Sequence, residues 1–370
     1  IGDQTGIGKG RVVAGMIKYA LESGKIPIFV TEKPNLYSDM MRDLDDIGMT
    51  DQLSLDTAKP KIFMTNSGES VPYTLIRTVK GEPVENNLTL KPVKSSGLDE
   101  VMKQMVKNDS LGNYKVIFTT YSQLQSVKGK PTERQNFIKH FGAGNYMIFD
   151  ESHNAGGAGV EPGKAEKEAG VNIGQGRSGF VRELVKNAFG TFFSSATYAK
   201  RPDVMDLYSS TDMRLAVDNI TQLSDAIKAG GIPMQQTVAN MLTKVGQYIR
   251  RERTFAGVAY NTQEAKVNKA TAEDMATSMR DILAFSREKE VIVKDLQKSL
   301  DTKGSRAAIQ GEKTTVQSAN FGSIMHSLID QMLLSLKAQD SINHAIERLK
   351  AGEKVVMTVS NTMGAFLKEY

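Results

Sequence analysis

At 370 residues, 40% hydrophobic and 24% charged, the chain has the composition of an ordinary soluble protein and can bury about two or three cores. It has no cysteine, which excludes disulfides and cysteine-ligated zinc, and its four histidines (His140, His153, His326, His344) are too widely spaced for a histidine metal cluster. No apolar run reaches membrane-span length and no signal peptide is visible, so no membrane partner and an intracellular, cytoplasmic location are expected; the net charge of +5 tilts weakly toward a polyanionic partner.

The first ten residues, Ile1-Gly2-Asp3-Gln4-Thr5-Gly6-Ile7-Gly8-Lys9-Gly10, surround one lysine with glycines and are followed by the apolar helical spacing of Val12, Val13, Met16, Ile17 and Ala20. Glycine lets backbone N–H groups turn inward as an anion nest, and a helix N-terminus behind them adds partial positive charge. Lys9 supplies the full charge that the outer phosphates of a nucleotide require. The pattern G-x-x-x-x-G-K-[ST] is met with two departures: Asp3 stands at its first position, and Gly10 replaces the hydroxyl residue that normally binds magnesium. The plain alternative for these residues is a glycine-rich turn capping a helix.

Residues 26–31 (IPIFVT) form a short apolar run suited to a buried parallel strand, followed by a turn at Lys33-Pro34 and a helix through Met40, Met41, Leu44 and Ile47. A second strand is expected at 61–65. Residues 67–113 have the character of an insertion, with a hairpin of Tyr73–Lys80 against Asn87–Leu90 across Gly81-Glu82-Pro83. Val116–Tyr121 and Tyr146–Phe149 supply the third and fourth strands.

The fourth strand runs into Asp150-Glu151-Ser152-His153, which puts two acids at the carboxyl end of a buried strand, where open parallel sheets bind ligands. Asp150 can hold a nucleotide's Mg²⁺ through water, and Glu151 can orient and deprotonate an attacking water. The competing assignment is a solvated turn with acids as helix caps. Residues 154–178 are glycine-rich and polar and should form a mobile loop. After a helix through Phe180, Val181, Leu184 and Val185, residues 190–193 lead into Ser194-Ser195-Ala196-Thr197, whose hydroxyls can join a network with the neighbouring acids.

From about residue 203 the spacing turns helical, at 215–227, 238–249 and 275–285. Arg250-Arg251-Glu252-Arg253 is a basic cluster suited to nucleic acid phosphates or to a solvated helix end. Residues 302–315 suggest a linker. A long amphipathic helix at 324–349 precedes Gly352-Glu353, a strand at Lys354–Val359 and a helix start at Asn361.

In order and spacing, the phosphate loop, the Lys-Pro strand, the Thr-Thr-Tyr strand, the Asp-Glu-x-His (DExH) box and Ser-Ala-Thr resemble motifs I, Ia, Ib, II and III of superfamily 2 helicases and translocases. The closer resemblance is to the strawberry notch family of helicase-like ATPases. Its loop is similar to Gly2–Arg11, which makes Gly10 a family feature. Arg42-Asp43-Leu44, Asp46-Ile47-Gly48, Asp150–His153, Tyr248–Arg251, Phe255–Val258 and Gly352–Val356 also match, with gaps near 67–113 and 262–315. Ser152 departs from the cysteine of metazoan members.

This resemblance implies an α/β fold: a RecA-like P-loop NTPase domain at 1–202, a mainly helical region at 203–350, and the first strand of a second RecA-like domain at 351–370. It implies ATP and Mg²⁺, bound by Thr5, Gly6, Ile7, Gly8, Lys9, Gly10 and Arg11, with Lys9, Asp150 and Glu151 catalytic and Asp150 the Mg²⁺ residue through water. Lys33, Thr120, His153, Ser195, Thr197, Arg250 and Arg251 are expected to contact nucleic acid or couple it to the site. The expected activity is that of a nucleic-acid-dependent helicase or translocase favouring duplex DNA. The resemblance also suggests partners in DNA modification or protection against restriction, and a phage source with carriage in a virion. It leaves the oligomeric state open. Arginine fingers would come from a second domain beyond the strand at 354, so this segment alone should bind nucleotide but hydrolyse it poorly. A nucleotide-binding regulatory or structural module working through protein contacts is the other class.

Overall fold

A computed structural model describes the chain apart from residues 5, 69, 128–129, 156–176, 197–204, 206, 214–219, 252–253, 255, 303–320 and 359–370. The expected mobile loop therefore lies mostly, and the linker at 302–315 almost wholly, outside the described residues, as do Thr5, Thr197 and the helix start at Asn361.

Five strands, β1 (Pro27–Thr31), β2 (Ile62–Met64), β5 (Val116–Thr120), β6 (Tyr146–Asp150) and β7 (Gly190–Ser194), pair in parallel in the order β2-β5-β1-β6-β7. This is the α/β sheet of a RecA-like P-loop fold. Every residue of β1, β2 and β5 is buried, because helices cover both faces and successive side chains serve opposite cores. Phe29, Phe118 and Ile148 face α1 (Lys9–Glu22) and α2 (Leu36–Asp46) through Val13, Ile17, Tyr37, Met41 and Leu44. Ile28, Val30, Ile117, Met147 and Phe149 face the other way, toward α4 (Ser95–Lys107), α5 (Glu133–Gly142) and α6 (Arg177–Asn187). Each large side chain removed from water there contributes about 1.5–3 kcal/mol. α5 is started by a capping box between Thr132 and Gln135.

The expected insertion contains a hairpin of β3 (Val71–Val79) and β4 (Glu82–Leu90), joined by the two residues Lys80-Gly81. Both have positive φ, 54° and 90°, as a tight hairpin turn demands, so Pro83 lies in the ladder opposite Thr78 rather than in the turn. Val71, Tyr73 and Leu75 bury one face of the hairpin beside α2, and Arg77 grips Asp45 of α2 at 2.8 and 2.9 Å. The region also holds α4, whose Leu98 and Met102 enter the core. A further short helix, α3 (Thr50–Leu53), follows α2.

The compact unit built on the sheet runs from Ile1 to Ala256, past the expected boundary at residue 202. Met205, Leu207, Tyr208 and Met213 pack into its core, as do Ile227, Val238 and Leu242 of α7 (Ile220–Lys244) and then Tyr248. The helix expected to reach residue 249 stops at Lys244, because Gly246 turns the chain at φ 75°. α7 itself kinks at Gly231 (φ 55°), with Pro233 at the start of its second half.

The second unit spans Gly257–Tyr370 and contains α8 (Lys269–Thr302) and α9 (Phe321–Lys350). Ahead of α8, Lys266 donates its backbone N–H to Asp340 at 3.2 Å. The strand expected from Lys354 is not formed: residues 353–358 are irregular, since a strand requires a neighbouring strand and none pairs with them among the described residues. No described helix is long and apolar enough to cross a membrane.

Candidate nucleotide-binding site

The loop is held on both flanks. Ile1 lies parallel to the end of β7: its amine donates to the Phe193 carbonyl at 2.6 Å, and its carbonyl accepts from Ser195 N–H at 3.0 Å. Gly2 and Gln4 donate in the opposite direction, to the carbonyls of Ile249 (2.8 Å) and Arg251 (3.2 Å), since alternate residues of an extended chain face opposite sides. Asp3, between them, is fully buried and accepts from the Arg251 backbone N–H at 2.7 Å and its Nε at 2.8 Å; Arg251 Nη2 completes a forked pair. Burial works against the charge on Asp3, but Arg251 more than offsets it, holding the carboxyl below its ordinary range. Tyr248 abuts Gly2 so closely that a Cβ there would meet its hydroxyl at 2.0 Å.

Gly6 and Gly8 then adopt φ 81° and 84°, the left-handed region that only glycine enters without cost. α1 starts at Lys9 without a side-chain cap and without an acid in its first turn. Its leading N–H groups and Lys9 therefore constitute an anion site.

Lys9 Nζ reaches Glu151 Oε1 at 3.0 Å. Glu151 follows β6 at φ 46°, a left-handed conformation that costs a non-glycine residue about 1–3 kcal/mol and recurs at functional positions. Asp150 caps β6, with one oxygen 3.3 Å from Thr31 Oγ1 at the end of the adjacent β1. Burial and the neighbouring Glu151 raise its carboxyl above the ordinary value, against the opposing pull of Lys9, Ser194 and Thr31. Tyr121 hydroxyl donates to the Asp150 carbonyl at 2.9 Å. His153 Nδ1 lies 2.9 Å from Ser195 Oγ and 3.4 Å from Glu151 Oε2. The acid box and the Ser-Ala-Thr segment thus meet, as anticipated for His153 and Ser195.

Other anticipated residues have different surroundings. Arg11 is turned to Asp46 of α2 at 2.7 Å and 3.2 Å, away from the loop. Thr120 is fully buried and bonded to Asn66 and Ser122, which makes it a strand-end lock and not a surface contact. Arg251 is committed to Asp3 rather than offered to a phosphate backbone, while Arg250 and Lys33 are exposed. At Gly10 a Cβ would stand 2.0 Å from Asp43 Oδ2, so the place of the usual hydroxyl side chain is taken by a carboxylate from α2.

Among the described residues no group of three or more histidines and acids could hold a metal unaided. A magnesium ion carried by phosphates requires only one or two protein carboxylates, and Asp150, braced by Thr31, fits that role. Sequence reasoning passed over Thr31 and the partnership of Asp3 with Arg251. In sequence Asp3 is a departure from the loop pattern, and its partner lies 248 positions away.

A glycine-built loop, an uncapped helix N-terminus, a lysine and two strand-end acids on this sheet define a P-loop nucleoside triphosphatase. The description "P-loop containing NTP hydrolase pore-1" fits residues 1–275, and the chain belongs to that family. Within it the chain is strawberry notch-like: it is 24% identical to Protein strawberry notch of Drosophila melanogaster over 98% of its length and 19% of the fly protein. It is 22% identical to Protein strawberry notch homolog 1 of Homo sapiens, covering 98% of this chain and 23% of that one. Protein FORGETTER 1 of Arabidopsis thaliana is 23% identical over 72% of the chain and 18% of its own. The chain thus spans about a fifth of the length of these relatives.

Proposed function

We propose that the chain is the ATP-hydrolysing core of a superfamily 2 helicase or translocase that acts on DNA, duplex DNA being its preferred track. The observation that carries this reading is the continuous set of contacts from Lys9 through Glu151 and His153 to Ser195. It links a phosphate-binding lysine to a carboxylate base, and that base to the segment which couples nucleotide state to nucleic acid in motors of this resemblance.

Loop N–H groups and Lys9 hold the β- and γ-phosphates. Lys9 is drawn onto the phosphates, which releases Glu151 to accept a proton from water as its oxygen attacks the γ-phosphorus; the bond to the bridging oxygen breaks and ADP leaves. Asp150 would hold a magnesium ion through water, and the ion would supply positive charge against the phosphates. His153 keeps Glu151 aligned while Ser195 fixes the imidazole.

ATP hydrolysis by the full-length protein, measured alone and with duplex DNA, single-stranded DNA and RNA beside a Glu151→Gln control, tests the reading. Stimulation by duplex DNA that vanishes in the control is expected. Tight nucleotide binding without turnover on any polymer would overturn it in favour of a regulatory nucleotide-binding module.

A further inference from the structure

The loop and acids account for the phosphates but for no other part of a nucleotide. We propose that the groove between the second half of α7 and Tyr248–Arg250 receives the purine base and ribose; this rests on reading the loop as a triphosphate site. Glu151 must stand at the terminal phosphate, and it follows β6, which β7 and Ile1 separate from the Ile249–Arg251 segment. The nucleoside leaves from the other end of the phosphate chain. On that other flank Gly2 and Gln4 are bonded to Ile249 and Arg251, and the groove opens beside this segment.

Its volume is about 840 Å³, within the usual range of about 300–1,000 Å³ for small-molecule sites. One wall is a stripe of exposed Gln236, Asn240 and Thr243, spaced i, i+4 and i+7 on α7, while Val238 and Leu242 on the other face are buried in the core. Opposite stand Tyr248 and Arg250. Amide side chains offer a donor and an acceptor together, which matches the N6 and N7 edge of adenine; a guanidinium suits the ribose and the inner phosphate. The stripe is neutral. A nucleic acid backbone calls for several cations in a row, and among the groove residues only Arg250 is charged, so the chemistry favours a base over a polyanion.

The test is binding of Mg·ATP, Mg·CTP and inorganic tripolyphosphate to the chain and to its Gln236→Ala and Asn240→Ala variants, both at exposed positions, with circular dichroism as a fold check. Wild type should bind ATP more tightly than CTP or tripolyphosphate. Each variant should lose about threefold to tenfold in ATP affinity, the worth of one hydrogen bond, with tripolyphosphate affinity unchanged. Unchanged ATP affinity in both variants, an equal loss for tripolyphosphate, or a loss confined to duplex DNA binding would overturn the proposal and leave the loop reading standing. Failure of wild type to bind either ATP or tripolyphosphate would overturn the loop reading, and this proposal with it.

Discussion

The two flanks of the phosphate loop are built on different principles. On the acid flank everything lies at adjacent strand ends: Thr31, Asp150, Glu151 and Ser195 are brought together by sheet register, and their chemistry follows from position. On the far flank the loop is held by one ion pair, buried Asp3 with half-exposed Arg251, reinforced by two backbone bonds. In the proposed function one flank supplies catalysis and the other supplies shape. The two should therefore fail differently when damaged.

Glu151→Gln should reduce hydrolysis by about 10²–10⁴-fold, the span of general-base catalysis, without loosening nucleotide. Single-turnover kinetics beside equilibrium ATP binding would show the split, and a parallel loss of binding would break the division between flanks. Arg251→Ala should do the reverse of a clean chemical defect. It leaves the Asp3 carboxylate with only its backbone N–H partner, and should lower the midpoint of urea unfolding and weaken ATP and tripolyphosphate together. Adding Asp3→Asn to Arg251→Ala should recover part of the loss, whereas strict additivity would mean the pair does not act as a unit.

The same pair gives a pH signature. Asp3 is held below its ordinary value, so its contribution is complete above about pH 4 and is lost as pH falls through the folded-state value. The midpoint of denaturant unfolding should fall on acidification below about pH 4 more steeply in wild type than in Asp3→Asn. The smallest effect is expected at Gly10. A serine there forces Asp43 to swing aside, costing about 1 kcal/mol, and Asp43→Ala in the same chain should restore stability. Destabilisation by Gly10→Ser that persists without Asp43 would show that another neighbour excludes the side chain.

The acid flank was legible in the sequence because a buried strand announces itself as an apolar run and its last residues must lie at the sheet's edge. Asp150, Glu151, His153 and Ser195 followed from that rule and from resemblance, and the structure joins them. The far flank gave no local sign. Arg251 sits in a basic cluster that suggests phosphates, and nothing nearby marks its attachment to Asp3. Thr120 misled for a related reason: a polar residue at a strand end can face outward or lock inward, and Asn66 settles it inward through a bond from another strand's end. The boundary near 202 failed because helical spacing describes Met205–Tyr248 locally without saying which core those residues enter.

The 248 positions between Asp3 and Arg251 also set a clock. At about 5–20 residues per second, a ribosome needs about 12–50 s to travel from one to the other. Throughout that interval the glycine-rich loop has no counter-charge for its aspartate, and the sheet around it can form before the loop has its final geometry. Nascent chains halted before residue 249 should therefore be protease-resistant across the sheet yet unable to retain nucleotide, whereas chains released past residue 256 should acquire that ability abruptly.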